Sequence, residues 1–159
     1  MNGVSLVPIQ NNVFRDNSVA VTDVYGYQSM QVNRNSFVRN YSVFDGIRLT
    51  GNSLFSENLF IDNPSIFALG YYFDTTTIEQ NSFEGADLVI RAPESAGGYG
   101  TVTAMNNWWG TTSEAEIAAT ITDINDDATL QQIVYTPILD AMPALAGSAL
   151  PSDINFPRP

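Results

Sequence analysis

The sequence predicts an all-β fold: a parallel β-helix, or solenoid, of 23-residue coils, closed at its C-terminal end by a short α-helix. Three observations carry this expectation. First, the pattern apolar-x-x-Asn-x-aromatic recurs as IQNNVF, VNRNSF, FSENLF and IEQNSF, and returns once more as AMNNWW. Second, Asn12, Asn35, Asn58 and Asn81 recur at a constant interval of 23 (35 − 12, 58 − 35, 81 − 58). Third, the stretches between them are rich in Val, Ile, Phe, Tyr and Thr and divided by Asn, Asp and Gly, which is strand-and-turn chemistry. No unit holds a run of good helix formers at helical spacing.

A unit of short strands and tight turns cannot bury its own apolar face, but stacked copies can. With coils about 4.8 Å apart, the ordinary interstrand spacing, equivalent residues lie over one another. Asn12, Asn35, Asn58, Asn81 and Asn107 then form a side-chain amide ladder. Phe14, Phe37, Phe60, Phe83 and Trp109 form an aromatic stack inside the core. Asparagine also tolerates the left-handed backbone that sharp corners need. Further columns keep the period: Asn17, Asn40 and Asn63; Ala20, Val43, Ile66 and Val89; and Val21, Phe44, Phe67 and Ile90. The last asparagine follows its predecessor at the longer interval of 26 (107 − 81). An insertion of three is therefore expected in the Gly-rich SAGGYG at 95–100.

The two ends differ. Ser113-x-x-Glu116 is a capping box, which predicts a helix from near Glu114 with Ile117 and Ile121 on one face. Such a helix would cover stacked core and unpaired edges at the C-terminal end. LQQIVY (130–135) should return as a strand that Pro137 helps to end. The chain therefore divides into solenoid coils over 1–103, a last coil and cap over 104–139, and a Pro-, Ala- and Ser-rich tail or linker over 140–159. Met1 falls partway through a preceding repeat. The chain is thus expected to be the C-terminal part of a longer solenoid, with upstream coils or another chain stacked on its uncapped first coil.

The segment NNWWGTTSEAEIAATITDINDDATLQQIVYTPIL (106–139), together with the Asn-x-Phe ladder over residues 1–140, resembles the right-handed parallel β-helix proteins of the pectate-lyase-like superfamily. It looks like the closing segment of many secreted proteins of that kind. The resemblance implies an extracellular or cell-surface location. It leaves function open, because the superfamily includes polysaccharide lyases, hydrolases, epimerases and adhesins.

Composition narrows the chemistry. The 159 residues contain no cysteine, histidine or lysine, and all six basic residues are arginine. Disulfides, thiolate metal sites, His-ligated metals and Ser-His or Cys-His nucleophile pairs are excluded. A net charge of −11 argues against nucleic acid and anionic membranes as partners. No apolar run is long enough to span a bilayer, so membrane insertion is not expected.

Candidate sites follow from the columns. Trp109 takes the Phe column and should point inward. Trp108 should point to the opposite face, where it is a candidate for glycan contact together with Tyr25 and Tyr71, which share one column. Tyr27, Tyr41, Tyr72 and Tyr99 add to the tyrosine content. Asp45, Arg48 and Glu57 could bind Ca2+ and an acidic sugar, as lyases of the resembled superfamily do. Yet Asp45 aligns with Thr22 and Ala68, and Arg48 with Tyr25 and Tyr71, so no acidic column forms. Asp16, Arg39 and Asp62 do share a column and should make a cross-strand ion-pair ladder. Asp123, Asp126 and Asp127 are spaced loosely like a calcium loop without its Gly and terminal Glu, so Ca2+ is the one cofactor to consider. Thr75, Thr76 and Thr77 raise an ice-binding array, but Thr75 aligns with Asn52 and Ser29, and Thr77 with Leu54 and Gln31. Asn40-Tyr-Ser is a glycosylation sequon. The leading expectation is a non-catalytic structural, adhesive or assembly module with weak polysaccharide contact. The alternatives are the C-terminal part of a polysaccharide lyase or epimerase, and a subunit of an end-to-end filament.

Overall fold

The computed structural model describes residues 5–22, 28–49, 52–72, 75–95, 100–144 and 146–147, with backbone alone for 5–7, 28, 48–49 and 71–72. It is an all-β parallel solenoid. Each of the first four coils runs through three strands, one in each of three sheets, and the strands that follow extend the first and third sheets. The first sheet stacks β1 (Ser5–Gln10), β4 (Gln28–Asn33), β7 (Ser53–Ser56), β10 (Thr76–Glu79), β13 (Val102–Thr103) and β15 (Ile133–Val134). The second stacks β2 (Val13–Arg15), β5 (Ser36–Val38), β8 (Leu59–Ile61) and β11 (Ser82–Glu84). The third stacks β3 (Val19–Thr22), β6 (Ser42–Leu49), β9 (Ser65–Tyr72), β12 (Leu88–Arg91) and β14 (Ile121–Thr122). All these pairings are parallel. The second sheet keeps the constant register throughout, with Phe14 opposite Phe37 and Phe37 opposite Phe60.

The amide ladder runs the length of the described coils. The Nδ2 groups of Asn12, Asn35, Asn58 and Asn81 donate to Oδ1 of the next asparagine at 3.2, 3.1, 2.9 and 3.0 Å. Each Oδ1 also accepts the backbone N–H of the preceding rung, as Asn58 does from Asn35 at 3.0 Å. Asn17, Asn40 and Asn63 make a second ladder at 2.8 and 3.0 Å. Burial makes these bonds stabilising, because an unmatched amide in this interior would lose its hydration for nothing.

The left-handed corner residues are not the ladder asparagines themselves. They are the residues immediately before them: Asn11, Arg34, Glu57, Gln80 and Asn106, with φ of 58, 55, 55, 54 and 56°. Asp16, Arg39 and Asp62 do the same at the second corner, with φ of 56, 51 and 52°. Arg, Glu and Gln rarely adopt this conformation. Cross-coil bonds hold them there, since Arg34 N–H donates to Ser56 O and Arg39 N–H to Ile61 O.

Inside, Phe14, Phe37, Phe60 and Phe83 stack with ring centres 4.9, 5.0 and 5.2 Å apart. Trp109 adds the fifth ring at 5.1 Å from Phe83. A parallel stack, Phe44 over Phe67 at 5.0 Å, meets the first edge-on, with Phe44 5.3 Å from Phe37.

The register locates the insertion. Thr76 pairs with Val102, an interval of 26 (102 − 76), while Ile90 still follows Phe67 by 23 (90 − 67). The added length therefore falls within 92–101, of which 96–99 are not described. The helix α1 (Glu114–Ala119) starts where the capping box places it, with the Ser113 side chain accepting from Glu116 N–H. It ends sooner than the Ile117–Ile121 spacing suggests. Thr120 turns its hydroxyl onto Ile117 O, and Ile121 begins β14. LQQIVY contributes only Ile133–Val134 as strand, with Leu130 bridged antiparallel to Glu94.

After Leu139, whose N–H donates to Asn107 O, the chain turns back along the outer face of the second sheet. Ala146 is buried with Val38, Leu59 and Ile61, and Met142 packs against the same cluster. Gly147, at φ 79°, donates to Glu57 O and sits so close that a Cβ would lie 2.6 Å from Leu59 Cβ. The tail is thus a strap over an apolar strip as far as it is described.

Candidate functional site

The tryptophan pair separates as the strand alternation requires. Trp109 is 7% exposed and edge-on to Tyr135 at 6.0 Å, and its Nε1 has no hydrogen-bond partner among the described residues. It closes the aromatic stack under the cap. Trp108 extends the second sheet through a bridge to Ser82 and is half-buried. Its Nε1 donates to Glu84 Oε1 at 2.7 Å, and the Ser82 hydroxyl donates to the same oxygen. The polar edge that a sugar would use is therefore occupied by Glu84. Trp108→Ala should lower stability by only about 1–2 kcal/mol, the cost of one hydrogen bond and partial burial, read from a urea unfolding midpoint.

Of the other glycan candidates, Tyr25 lies outside the described residues, as do Tyr27 and Tyr99. Tyr71 and Tyr72 end β9 and are described by backbone alone. Tyr41 is the tyrosine that stands out, at 75% exposed.

The charged columns are partly occupied by ion pairs. Arg39 grips Asp16 with both Nε and an Nη, at 2.9 and 3.0 Å, and Arg15 Nε lies 3.3 Å from the same carboxylate. Glu57, a sequence neighbour of Asp45 and Arg48, belongs to another column. It accepts from Arg34 Nε at 2.7 Å. That pair obeys the same arithmetic as the ladders (57 − 34 = 23). Asp45 is exposed and aligned with Thr22 and Ala68 as expected, and the Arg48 side chain is not described.

The hydrogen bond from Arg39 holds the Asp16 carboxyl below the usual aspartate range, with the Arg39 and Arg15 charges acting the same way. A depressed folded pKa stabilises the fold above the unfolded value and loses that contribution as pH falls through the folded one. The pair's contribution therefore fades only below the ordinary aspartate range. In an NMR titration of the carboxyl carbons, Asp16 should titrate below ordinary aspartates, and Arg39→Ala should move it back up.

The carboxylates of Asp123, Asp126 and Asp127 accept hydrogen bonds from the turn itself and from Ile133. Asp123 is 4% exposed and accepts from Asn125 N–H and Ile133 N–H through its two oxygens. Asp126 accepts from Asp123 N–H, and Asp127 from Thr129 N–H and Oγ1. The Thr129 hydroxyl and amide hold the Asp127 carboxyl below the usual range. Among the described residues, no three acidic side chains converge as a cation site would require.

The threonines make a small array that the constant period misses. Toward the N-terminus, Thr77 faces Leu54, and Thr75 N–H donates to the Asn52 side chain, as the alignment expects. Toward the C-terminus the interval is 26. Thr77 pairs with Thr103, and the Thr75 and Thr101 hydroxyls lie 3.4 Å apart. Thr76 points inward and is fully buried, so the outward set is two Thr-x-Thr rows on two coils.

Asn40, the sequon residue, is fully buried in the second ladder, and its Nδ2 donates to Asn63 Oδ1 and Phe14 O. Expression in a glycosylating host should leave Asn40 unmodified; an added glycan mass on the folded protein would contradict the ladder.

Compared with known proteins, the chain matches no protein-family model, no curated protein and no solved structure.

Proposed function

We propose that this chain is a non-catalytic structural and adhesive module that assembles through its open first coil, with weak contact to glycans on its surface. The observation that carries the reading is the contrast between its ends. Among the described residues each sheet has a terminal strand at both ends, β1, β2 and β3 at one and β15, β11 and β14 at the other, so the contrast lies in the core. At the first of these ends the core is open: Ile9, Phe14, Ala20 and Val21 are half-buried, whereas their counterparts one coil on, Val32, Phe37, Val43 and Phe44, are 0% exposed. At the other end Trp109, Ile121 and Ile133 are 7, 6 and 3% exposed under the cap. Open edges with matching core are a template for another coil of the same pattern. The closed end counts against a head-to-tail filament, which needs both ends open.

The NNWWG closing segment supports placing the chain with the right-handed β-helices of the pectate-lyase-like superfamily, and hence at the cell surface or outside the cell. The ion-paired carboxylates of Asp16 and Glu57 favour a structural over a catalytic role for those two residues. Two measurements test the reading. Molecular mass over a concentration series should show self-association that Val21→Lys, at the open end, weakens; a monomer at every concentration would refute assembly through that end. Incubation with uronic-acid polymers and Ca2+ should release no unsaturated sugar; release would show a polysaccharide lyase instead.

A further inference from the structure

We infer that the corner groove around Tyr41 binds a neutral pyranose polymer. This deepens the glycan-contact part of the reading above and rests on it only for the rigid scaffold.

The groove is a shallow depression open to solvent between the second and third sheets, bordered by residues that include Asp16, Asn17, Arg39, Tyr41, Asp62 and Pro64. Tyr41 is the most exposed large apolar side chain among the described residues, at 75%. Its column neighbours are the smaller Ser18 and Pro64 (41 − 18 = 64 − 41 = 23), so the ring stands above its own row. At that exposure it contributes little to the core. Its backbone, by contrast, is fixed: Tyr41 N–H donates to Asn17 O at 2.9 Å, beside the fully buried Asn40 rung. The ring is exposed on a rigid mount.

One column over, Asp16 and Arg39 are locked in their two-point ion pair, and Asp62 follows on the next coil. The groove thus presents an aromatic surface next to preset donors and acceptors. A pyranose offers the matching chemistry, with an apolar C–H face for the ring and hydroxyls for carboxylate, guanidinium and amide.

Charge decides the sugar class. Asp16 and Asp62 against Arg39 and Arg15, the latter 3.3 Å from the Asp16 carboxylate, leave the groove without net charge (−2 + 2), on a chain of net −11. A polyuronate would be repelled by the field of the whole molecule. A cationic amino-sugar polymer would be drawn to any acidic surface and needs no groove. A neutral hexose polymer alone takes its affinity from the ring and the hydrogen bonds.

Affinity electrophoresis in gels containing a soluble neutral β-glucan, polygalacturonate or chitosan tests this. Retardation is expected with the neutral glucan. Tyr41→Ala should lose about tenfold or more in affinity, as a lone aromatic anchor would. Asp62→Asn should weaken binding less, with the Asp16–Arg39 pair intact. Unchanged thermal melts would confirm that both variants fold. No retardation by neutral glucan, equal retardation of the Tyr41→Ala variant, or binding only to the charged polymers would each overturn the inference. Self-association, measured without sugar, tests the assembly reading separately, so the failure of one is distinguishable from the failure of the other.

Discussion

Replacing Asn58 by alanine should lower the stability of the solenoid by about 2–4 kcal/mol, far more than the same change at Asn12. Asn58 is fully buried in mid-ladder. Its Oδ1 receives Asn35 N–H and Nδ2, and its Nδ2 donates to Val32 O and Asn81 Oδ1. Asn35 Nδ2 keeps other acceptors, Ile9 O and Asn33 O. Asn81 Oδ1 keeps Asn58 N–H. Asn35 N–H is left buried without its partner, and a cavity forms beside it. Asn12, on the outermost described rung, is exposed, so water can replace what alanine removes. Urea unfolding of both variants compares them, and equal losses would refute the ladder as a buried, cooperative element.

Phe60→Ala should cost about 3–5 kcal/mol, the range for a fully buried phenylalanine. The ring sits between Phe37 and Phe83 and meets Phe67 edge-on at 5.8 Å. In a solenoid each coil touches only its neighbours, so a gap in the middle also uncouples the coils on either side. Phe14→Ala, at the half-buried open end, should cost clearly less. Calorimetry should show a lowered and broadened transition for Phe60→Ala, and a wild-type melting profile would contradict the stack.

Much of this is legible because the interactions are between like residues one period apart. Asn over Asn and Phe over Phe leave their spacing in the chain itself, and the inward or outward sense of Trp109 and Trp108 follows from strand alternation. The Arg34–Glu57 pair is equally available, but Glu57 invites grouping with its sequence neighbours instead of its column. The Thr-x-Thr rows stay hidden because the coil between them carries the insertion, so the constant period points to the wrong side. Tyr41 looks like one tyrosine among seven. Its exposure depends on the small size of Ser18 and Pro64 and on the corner geometry.

Coil length, the two ladders, the aromatic stack and the start of the closing helix are written in the linear order of residues. The repeating features recur at interstrand spacing, so every copy reinforces the last, and the helix start is a local capping pattern. Three features emerge only when the chain is folded: which corner residues turn left-handed, that Glu84 takes the Trp108 N–H, and that the tail straps Val38, Leu59 and Ile61. These depend on how far side chains and a non-repeating segment reach across coils, and no period records that distance.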